Sequence, residues 1–522
     1  MKTAENRYTE LASIREPFLV RARASAELTV PHLMPPDGHT GNEQLVTPFQ
    51  SVGARGVNNL AVRILLALLP PNSPFFKYQL DDFVLSELSG RDDVRAEFEE
   101  ALSSMERAIQ GEVETTAIRV PAFEMIKQLL VAGSVLIHFP KSGGMRVFRM
   151  DSFVVKRDPF GNPLEIIVKE SVSPTVLPED VRRMVEAVEK NDAATDAQRT
   201  VDIYTYIRRQ PDKWTVWQEI KGKRIGNSFG TYPLDRTPWL PLRFTRIDGE
   251  DYGRSYVEQY LGDLRSLEGL TQSIVEGSAA AAKVLFLIKP NSTTRARTLA
   301  QAPNGAIREG NADDVKTLQM EKFNDFRVAF DTISRIEQRL EFAFLLTSAI
   351  QRSGERVTAE EIRRVASDLE VALGGVYALL SQEFQLPLVS LLSARMQAQR
   401  RLPKLPKDKI KPTIVTGLEA LGRGNDNERL VGFMQDMAPF QKELAPYFKV
   451  QNLAKRVAAS RQIDIKDLFK SDDEVKAEQQ QQMMQAMAQQ VAPNVVNQGG
   501  ALLKGAQEQQ AAAPEAAPTP PQ

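Results

Sequence analysis

The chain has 522 residues, with 66 Lys and Arg against 67 Asp and Glu, a formal net charge of −1 and no cysteine. This length supports several subregions with a sizeable total core. The charge balance argues against a protein wrapped tightly around nucleic acid, which carries a basic excess, and the lack of cysteine excludes disulfides and thiolate metal sites. No run reaches the roughly 18 to 20 apolar residues of a membrane-spanning helix: Ile64–Leu69 stops at Pro70-Pro71, and Ala279–Ile288 is broken by Lys283. The N-terminus, with Lys2, Glu5, Arg7 and Glu10, lacks the apolar centre of a secretory signal. A soluble protein or assembly component, without membrane insertion, is expected.

Residues 1–30 read as helix, with Leu11, Ile14, Phe18 and Leu19 as apolar positions. A turn-rich break at 31–41 leads to a helix over 46–69, closed by Pro70-Pro71-Asn72-Ser73-Pro74. Val94, Phe98, Leu102, Met105 and Ile109 share a helical face, and Pro121 lies near the start of a helix running to Gly133. From Ser134 the pattern becomes strand-like. Two β-prone runs, 147–155 and 166–168, flank Asp158-Pro159-Phe160-Gly161-Asn162-Pro163 and read as a hairpin. After a short helix at 179–190, residues 201–207 and 214–220 form a second hairpin around Pro211-Asp212. The first half is therefore α+β.

The second half is mainly helical. Ser255 and Glu258 have capping-box spacing at the head of a helix to about Ala282. Gly262, Gly269, Gly277 and the small run containing Ala280 permit close helix approach, either in the chain's own core or at a subunit interface. Short strands and turns fill 284–320, and helix resumes near Phe323, with Phe326, Phe330, Ile333, Leu340 and Phe344 on one face. A charged, glycine-containing loop, Gln351–Val357, then enters a helix capped by Thr358 and Glu361. Its apolar face runs Ile362, Val365, Leu369, Leu373, Val376, Leu380, Phe384 and Leu388, with kinks expected at Gly374-Gly375 and Pro387. Pro403, Pro406 and Pro412 mark a linker before a helical region to about Phe469. Of the last 52 residues 12 are Gln, with much Ala and Pro, so a mostly disordered tail is expected.

Several signatures of catalysis are absent: no phosphate-binding loop G-x-x-x-x-G-K-[ST], no G-x-G-x-x-G and no H-E-x-x-H. His32 and His39 fall in a Pro/Gly loop, and His138 in an apolar strand as a satisfied, half-buried side chain. Acidic pairs at 81–82, 92–93, 313–314 and 472–473 read as solvated turns. The densest acidic cluster, Asp248, Glu250 and Asp251, could hold Mg²⁺ but lacks the spacing of a calcium loop. Arg352, Glu355 and Arg356 are the charges of most interest. A wholly basic loop would hold phosphates strongly and salt-dependently; one of mixed sign touches a backbone without retaining it, and the plain alternative is a solvated loop. No catalytic residue, cofactor or metal ligand is assigned.

Four segments carry a resemblance. Arg356–Val389 (RVTAEEIRRVASDLEVALGGVYALLSQEFQLPLV), Val52–Ala61 (VGARGVNNLA), Ile274–Ile288 (IVEGSAAAAKVLFLI) and Pro412–Asp426 (PTIVTGLEALGRGND) resemble, in order, the portal proteins of short-tailed phages of the podovirus, Autographivirus-like kind. The likeness covers essentially residues 1–470. It implies an α+β, predominantly helical portal fold assembled as a closed ring of twelve at one capsid vertex, through which double-stranded DNA enters and leaves. On that basis residues 1–250 are the wing, and 251–282 and 323–350 the stem helices. Residues 283–322 are the clip, and 351–357 a tunnel loop carrying Arg352, Glu355 and Arg356. Residues 358–400 are a long kinked wing helix, 401–470 the crown and 471–522 the tail. Gly269, Gly277 and Ala280 are candidate stem-packing positions. The implied partners are the terminase large subunit, a tail adaptor, scaffold, major capsid protein and internal core proteins, in a virion component made in the host cytoplasm. The competing readings are an internal scaffolding or core virion protein and a metal-dependent DNA-processing enzyme.

Overall fold

The computed structural model describes residues 3–39, 41–71, 75–80, 92–186, 200–281, 285–291, 294–303, 305–307, 311–318, 323–346, 375–403 and 410–414, with a few isolated positions. The chain divides into two compact units, 1–436 and 437–522, and nearly all described residues lie in the first.

The first 133 residues supply helices α1 (Ala4–Glu27), α2 (Val52–Leu68), α3 (Asp92–Thr115) and α4 (Arg119–Ala132), with strand β1 (Phe76–Leu80) before α3. Thr3 caps α1, its hydroxyl accepting from the Asn6 N–H at 3.3 Å. Helix α2 starts at Val52, six residues later than the periodicity suggests. The reason is tertiary: the Glu268 carboxylate accepts from the N–H groups of Phe49 and Gln50, holding them outside the helix. Gln50 then caps α2 by accepting from the Gly53 N–H at 2.9 Å while donating to the Leu28 carbonyl. Gly133 closes α4 at φ 79°, where a Cβ would lie 2.5 Å from the Gly253 carbonyl, so only glycine fits.

Strands follow as β2 (Ser134–His138), β3 (Arg146–Phe148), β4 (Phe153–Arg157), β5 (Pro163–Val172), β6 (Val201–Arg209), β7 (Lys213–Ile220), β8 (Lys223–Arg224), β9 (Gly230–Pro233) and β10 (Trp239–Arg243), with α5 (Glu179–Glu186) between β5 and β6. Both expected hairpins form. The main sheet is antiparallel in the order β4-β5-β6-β7-β8, with β9 also pairing β7; a second sheet runs β10-β2-β3. Register explains how the main sheet is covered on both faces. The cross-strand row Val154, Ile167, Tyr206, Trp217 packs against Ala4, Tyr8 and Leu11 of α1. The next row, Val155, Ile166, Ile207, Val216, points into the main core. The second half of α1, through Leu19, Ala22 and Ala26, joins that main core. Between its two halves lies buried Arg15, which donates to the carbonyls of Met150 (3.0 Å), Asp151 (2.8 Å) and Phe153 (2.7 Å).

The rest comprises α6 (Leu261–Ala281), β11 (Leu285–Ile288), α7 (Ala296–Ala300), β12 (Val315–Leu318), α8 (Phe323–Ala343), α9 (Val376–Leu380), a π-turn (Ser381–Gln385), α10 (Leu386–Ala398) and β13 (Ile410–Ile414). Helices α6 and α8 form an antiparallel pair. Leu264 and Leu267 at one end of α6, and Ile333, Ile336 and Leu340 of α8, root the pair in the main core; β11 and β12 pair antiparallel at the other end. The expected kink near Pro387 is realised as the π-turn immediately before it. Widening the helix there accommodates a residue that lacks an N–H and crowds the preceding turn. Pro412, read as part of a linker, lies inside β13 opposite Tyr78 of β1. That pairing is non-local, which is why proline punctuation alone misassigned it.

Candidate functional site

The charges Arg352, Glu355 and Arg356 expected in a tunnel loop, the expected cap residues Thr358 and Glu361, and Gly374 lie outside the described residues. Gly375 precedes α9 at φ −66°, a value open to any residue, and nothing lies within 4 Å of a Cβ built there. The helical irregularity on the described side is the π-turn.

The candidate packing glycines of α6 separate into two kinds. Gly277 faces the chain's own α8: a Cβ there would sit 2.8 Å from Cζ of Phe326, so the missing side chain makes room for that ring. Gly269 is exposed with no atom near it, and Ala280 is exposed as well. On the same exposed side Ser266 and Ser273 turn back to the carbonyls of Gly262 and Gly269, next to the exposed Glu276, which accepts from Gln272 at 2.8 Å. Helix α8 is the opposite in character, with Val328 67%, Phe330 63% and Phe342 77% exposed. Phe330 therefore departs from the buried face expected for it. At the rooted end Arg339 pairs with Asp263 at 2.9 Å. The capping spacing at 255–258 is half realised: the Ser255 hydroxyl accepts from the Glu258 N–H at 2.9 Å, while the Glu258 carboxylate binds Arg254 and Arg21.

Two of the three carboxylates near residue 250 are engaged in ion pairs. Asp251 accepts from Lys156 Nζ at 2.9 Å and from the Arg157 N–H at 2.7 Å, and Glu250 clasps Arg254. Among the described residues no group of three or more potential ligands could hold a metal ion. Asp251 instead belongs to a buried polar knot that the sequence does not betray. Arg157 donates to the carbonyls of Asp251 (2.9 Å), Gly161 (2.9 Å) and Pro241 (2.8 Å). Arg243 pairs with Glu383 of the π-turn at 2.5 Å, and its backbone N–H reaches the other carboxylate oxygen at 3.2 Å. Burial and the neighbouring Arg243 lower the Arg157 guanidinium to about 10. The knot joins β4, β10, the 158–162 turn and the π-turn, elements far apart in sequence.

Two further titratable groups are perturbed. Glu106 of α3 is buried and accepts from the Tyr78 N–H of β1 at 2.7 Å; desolvation raises it to about 7. His138 stacks on Trp239 at 3.7 Å, and burial, with Arg146 nearby, lowers it to about 4. It is half-buried as expected, but its Nδ1 is buried without a hydrogen-bond partner rather than satisfied.

Over residues 1–466 the chain matches the bacteriophage head to tail connecting proteins, and it belongs to that family. Among its relatives, the portal protein of Escherichia phage T7 is 41% identical, covering 98% of this chain and 95% of that protein. The portal protein of Enterobacteria phage T3 is 42% identical, covering 91% of this chain and 89% of that one. Among solved structures, the neck of an empty gene transfer agent particle aligns with a TM-score of 0.37 and 12% identity, covering 74% of this chain and 86% of that one.

Proposed function

We propose that the chain acts as the portal, or head-to-tail connector, of a short-tailed phage: a closed ring, of twelve copies, whose channel passes double-stranded DNA during packaging and ejection. The observation that carries this reading is identity above 40% with two portal proteins across nearly the whole chain. In a ring each residue repeats around the axis, and a heterologous interface must close by rotation. The small-residue face of α6 at Gly269 and Ala280, which also carries Glu276, and the bulky exposed face of α8 at Val328 and Phe342 are unlike surfaces, as a head-to-tail contact requires. Helices α6 and α8 then belong to the stem (251–282 and 323–350), and the β11–β12 end to the clip (283–322), facing the terminase large subunit and later the tail adaptor. Residues 1–250 and the helix of 358–400 form the wing, and 401–470 the crown. Loop 351–357 presents Arg352, Glu355 and Arg356 to the DNA backbone without sequence specificity. Scaffold, major capsid protein and internal core proteins complete the partners at the virion's portal vertex, after synthesis in the host cytoplasm.

Native mass tests this reading. A chain of 58.3 kDa predicts a ring of about 700 kDa with a central hole in negative stain. A monomer or small dimer that persists when the cognate scaffold is added would overturn it.

A further inference from the structure

The turn joining β2 to β3, Pro140-Lys141-Ser142-Gly143-Gly144-Met145, lies in the region read as the wing and is given no role of its own there. It contains no carboxylate. Lys141 and Ser142 are exposed, and Gly143 and Gly144 adopt φ 110° and 75° in succession. Arg395, in the last turn of α10, lies against Gly143: a Cβ there would meet the guanidinium Nη2 at 2.9 Å. Arg395 is half-buried and its Nε is fully buried without a hydrogen-bond partner. Among the described residues none accepts a hydrogen bond from any of its nitrogens or pairs with its charge. The carboxylate on the same stretch of helix, Glu383, is held by Arg243.

A partly buried guanidinium without an acceptor is an unfavourable arrangement that native proteins rarely leave uncompensated. The turn beside it offers donors in the exposed Lys141 ammonium and Ser142 hydroxyl, and its glycines let a ligand approach closely, while the Gly143 N–H is taken by the Pro140 carbonyl. Such a set complements a group that only accepts, carries charge and offers several oxygens. A phosphate meets that description better than a single carboxylate, because a guanidinium fork and an ammonium can engage different oxygens of one tetrahedral group. We propose that Arg395, Lys141 and the 141–144 turn form a phosphate site, occupied by a backbone phosphate of duplex DNA. The choice of DNA as the source rests on the portal reading; the phosphate chemistry does not.

The test uses the full-length protein in its native assembly. Binding of a labelled short duplex is measured by fluorescence anisotropy across a sodium chloride series for wild type, Arg395→Gln and Lys141→Ala. The native mass of each is recorded first. Lys141 is exposed, so its variant folds even if Arg395→Gln does not. The expected result is several-fold weaker binding at low salt in both variants, with a shallower salt dependence, since each removed phosphate contact releases fewer counterions. Unchanged affinity and slope in both variants overturns the site. A second arm compares thermal unfolding in inorganic phosphate and in chloride at equal ionic strength. A phosphate-specific rise that Arg395→Gln abolishes, with duplex binding untouched, assigns the site to a small phosphate compound and overturns the DNA assignment. A native mass altered by Arg395→Gln, with Lys141→Ala binding duplex normally, assigns the guanidinium to a carboxylate of a second copy and overturns the phosphate site. A wild-type chain that stays monomeric with scaffold defeats the portal reading instead, and leaves the duplex and phosphate measurements interpretable by themselves.

Discussion

Glu383→Ala is the most informative single perturbation of the fold. Arg243 is 2% exposed and the Glu383 side chain 19%, so their pair is largely shielded from water. The substitution removes the 2.5 Å bond to the guanidinium and the 3.2 Å bond to the Arg243 backbone N–H together. What remains for the guanidinium is the Gly161 carbonyl at 3.5 Å. Arg157, whose charge is already disfavoured by burial and by Arg243, loses the favourable field of Glu383 as well. Removing one partner of a buried pair leaves the other charge uncompensated, and such changes destabilise by about 3–5 kcal/mol. Glu383→Gln retains the shape and one acceptor, so a loss of about 1–3 kcal/mol is expected. Combining Glu383→Ala with Arg243→Met removes the orphaned charge and recovers part of the loss. Urea unfolding followed by the fluorescence of Trp214, Trp217 and Trp239 reads these differences, at one fixed protomer concentration because assembly contributes to apparent stability. A loss below about 1 kcal/mol for Glu383→Ala would show that the knot is hydrated or dispensable, and the reasoning would fail.

Other outcomes follow from the same structure. Arg15→Met leaves the carbonyls of Met150, Asp151 and Phe153 without their common donor and is expected to destabilise by about 3 kcal/mol in the same unfolding assay. Gly277→Leu displaces Phe326 and lowers the thermal midpoint, whereas Gly269→Ala, with open space around it, raises helix stability by up to about 1 kcal/mol in the single chain. Glu106 has a folded value of about 7 against an ordinary 4.5, so the native state binds the extra proton. Stability is therefore expected to fall as pH rises from about 4.5 to about 7, by at most roughly 3 kcal/mol, and Glu106→Gln should flatten that slope in urea midpoints measured across pH. His138 acts in the opposite sense: lowered to about 4 from 6.5, it withdraws stability as pH falls through that window, and His138→Phe, which keeps a ring on Trp239, should remove the acid-side loss.

The elements that local pattern could announce are those whose partners are close in sequence. The β4–β5 and β6–β7 hairpins read directly from alternating runs around Pro/Gly/Asn turns, and α4 from the proline near its start and its closing glycine. Failures occur where a distant group decides. The start of α2 is set by Glu268, about 220 residues away in sequence, acting on Phe49 and Gln50. Strand β13 exists because β1 pairs with it across more than 300 residues, and Pro412 is tolerated within that two-stranded ladder. The Arg157–Arg243–Glu383 knot had no signal at all, since single charges in a sequence of balanced composition look like surface. The acidic cluster near residue 250 looked the most like chemistry, yet Asp251 and Glu250 serve ion pairs.

The glycines of α6 show how far one-dimensional reading reaches at the site itself. Gly269 and Gly277 are alike in sequence, and small residues on a helix predict close approach without saying by what. Their surroundings tell them apart, because Gly277 admits the chain's own Phe326 while Gly269 meets nothing. A chain that was complete alone would have little reason to leave Val328 and Phe342 in water. A chain that closes a ring must carry two unlike and individually unsatisfied faces, because each copy supplies one to each neighbour. Gly269→Leu and Gly277→Leu therefore separate the two roles. The first is expected to leave the folded subunit intact and break the native mass of the assembly; the second to loosen the helix pair before assembly is reached. A full-size ring from Gly269→Leu would remove the α6 face from the interface.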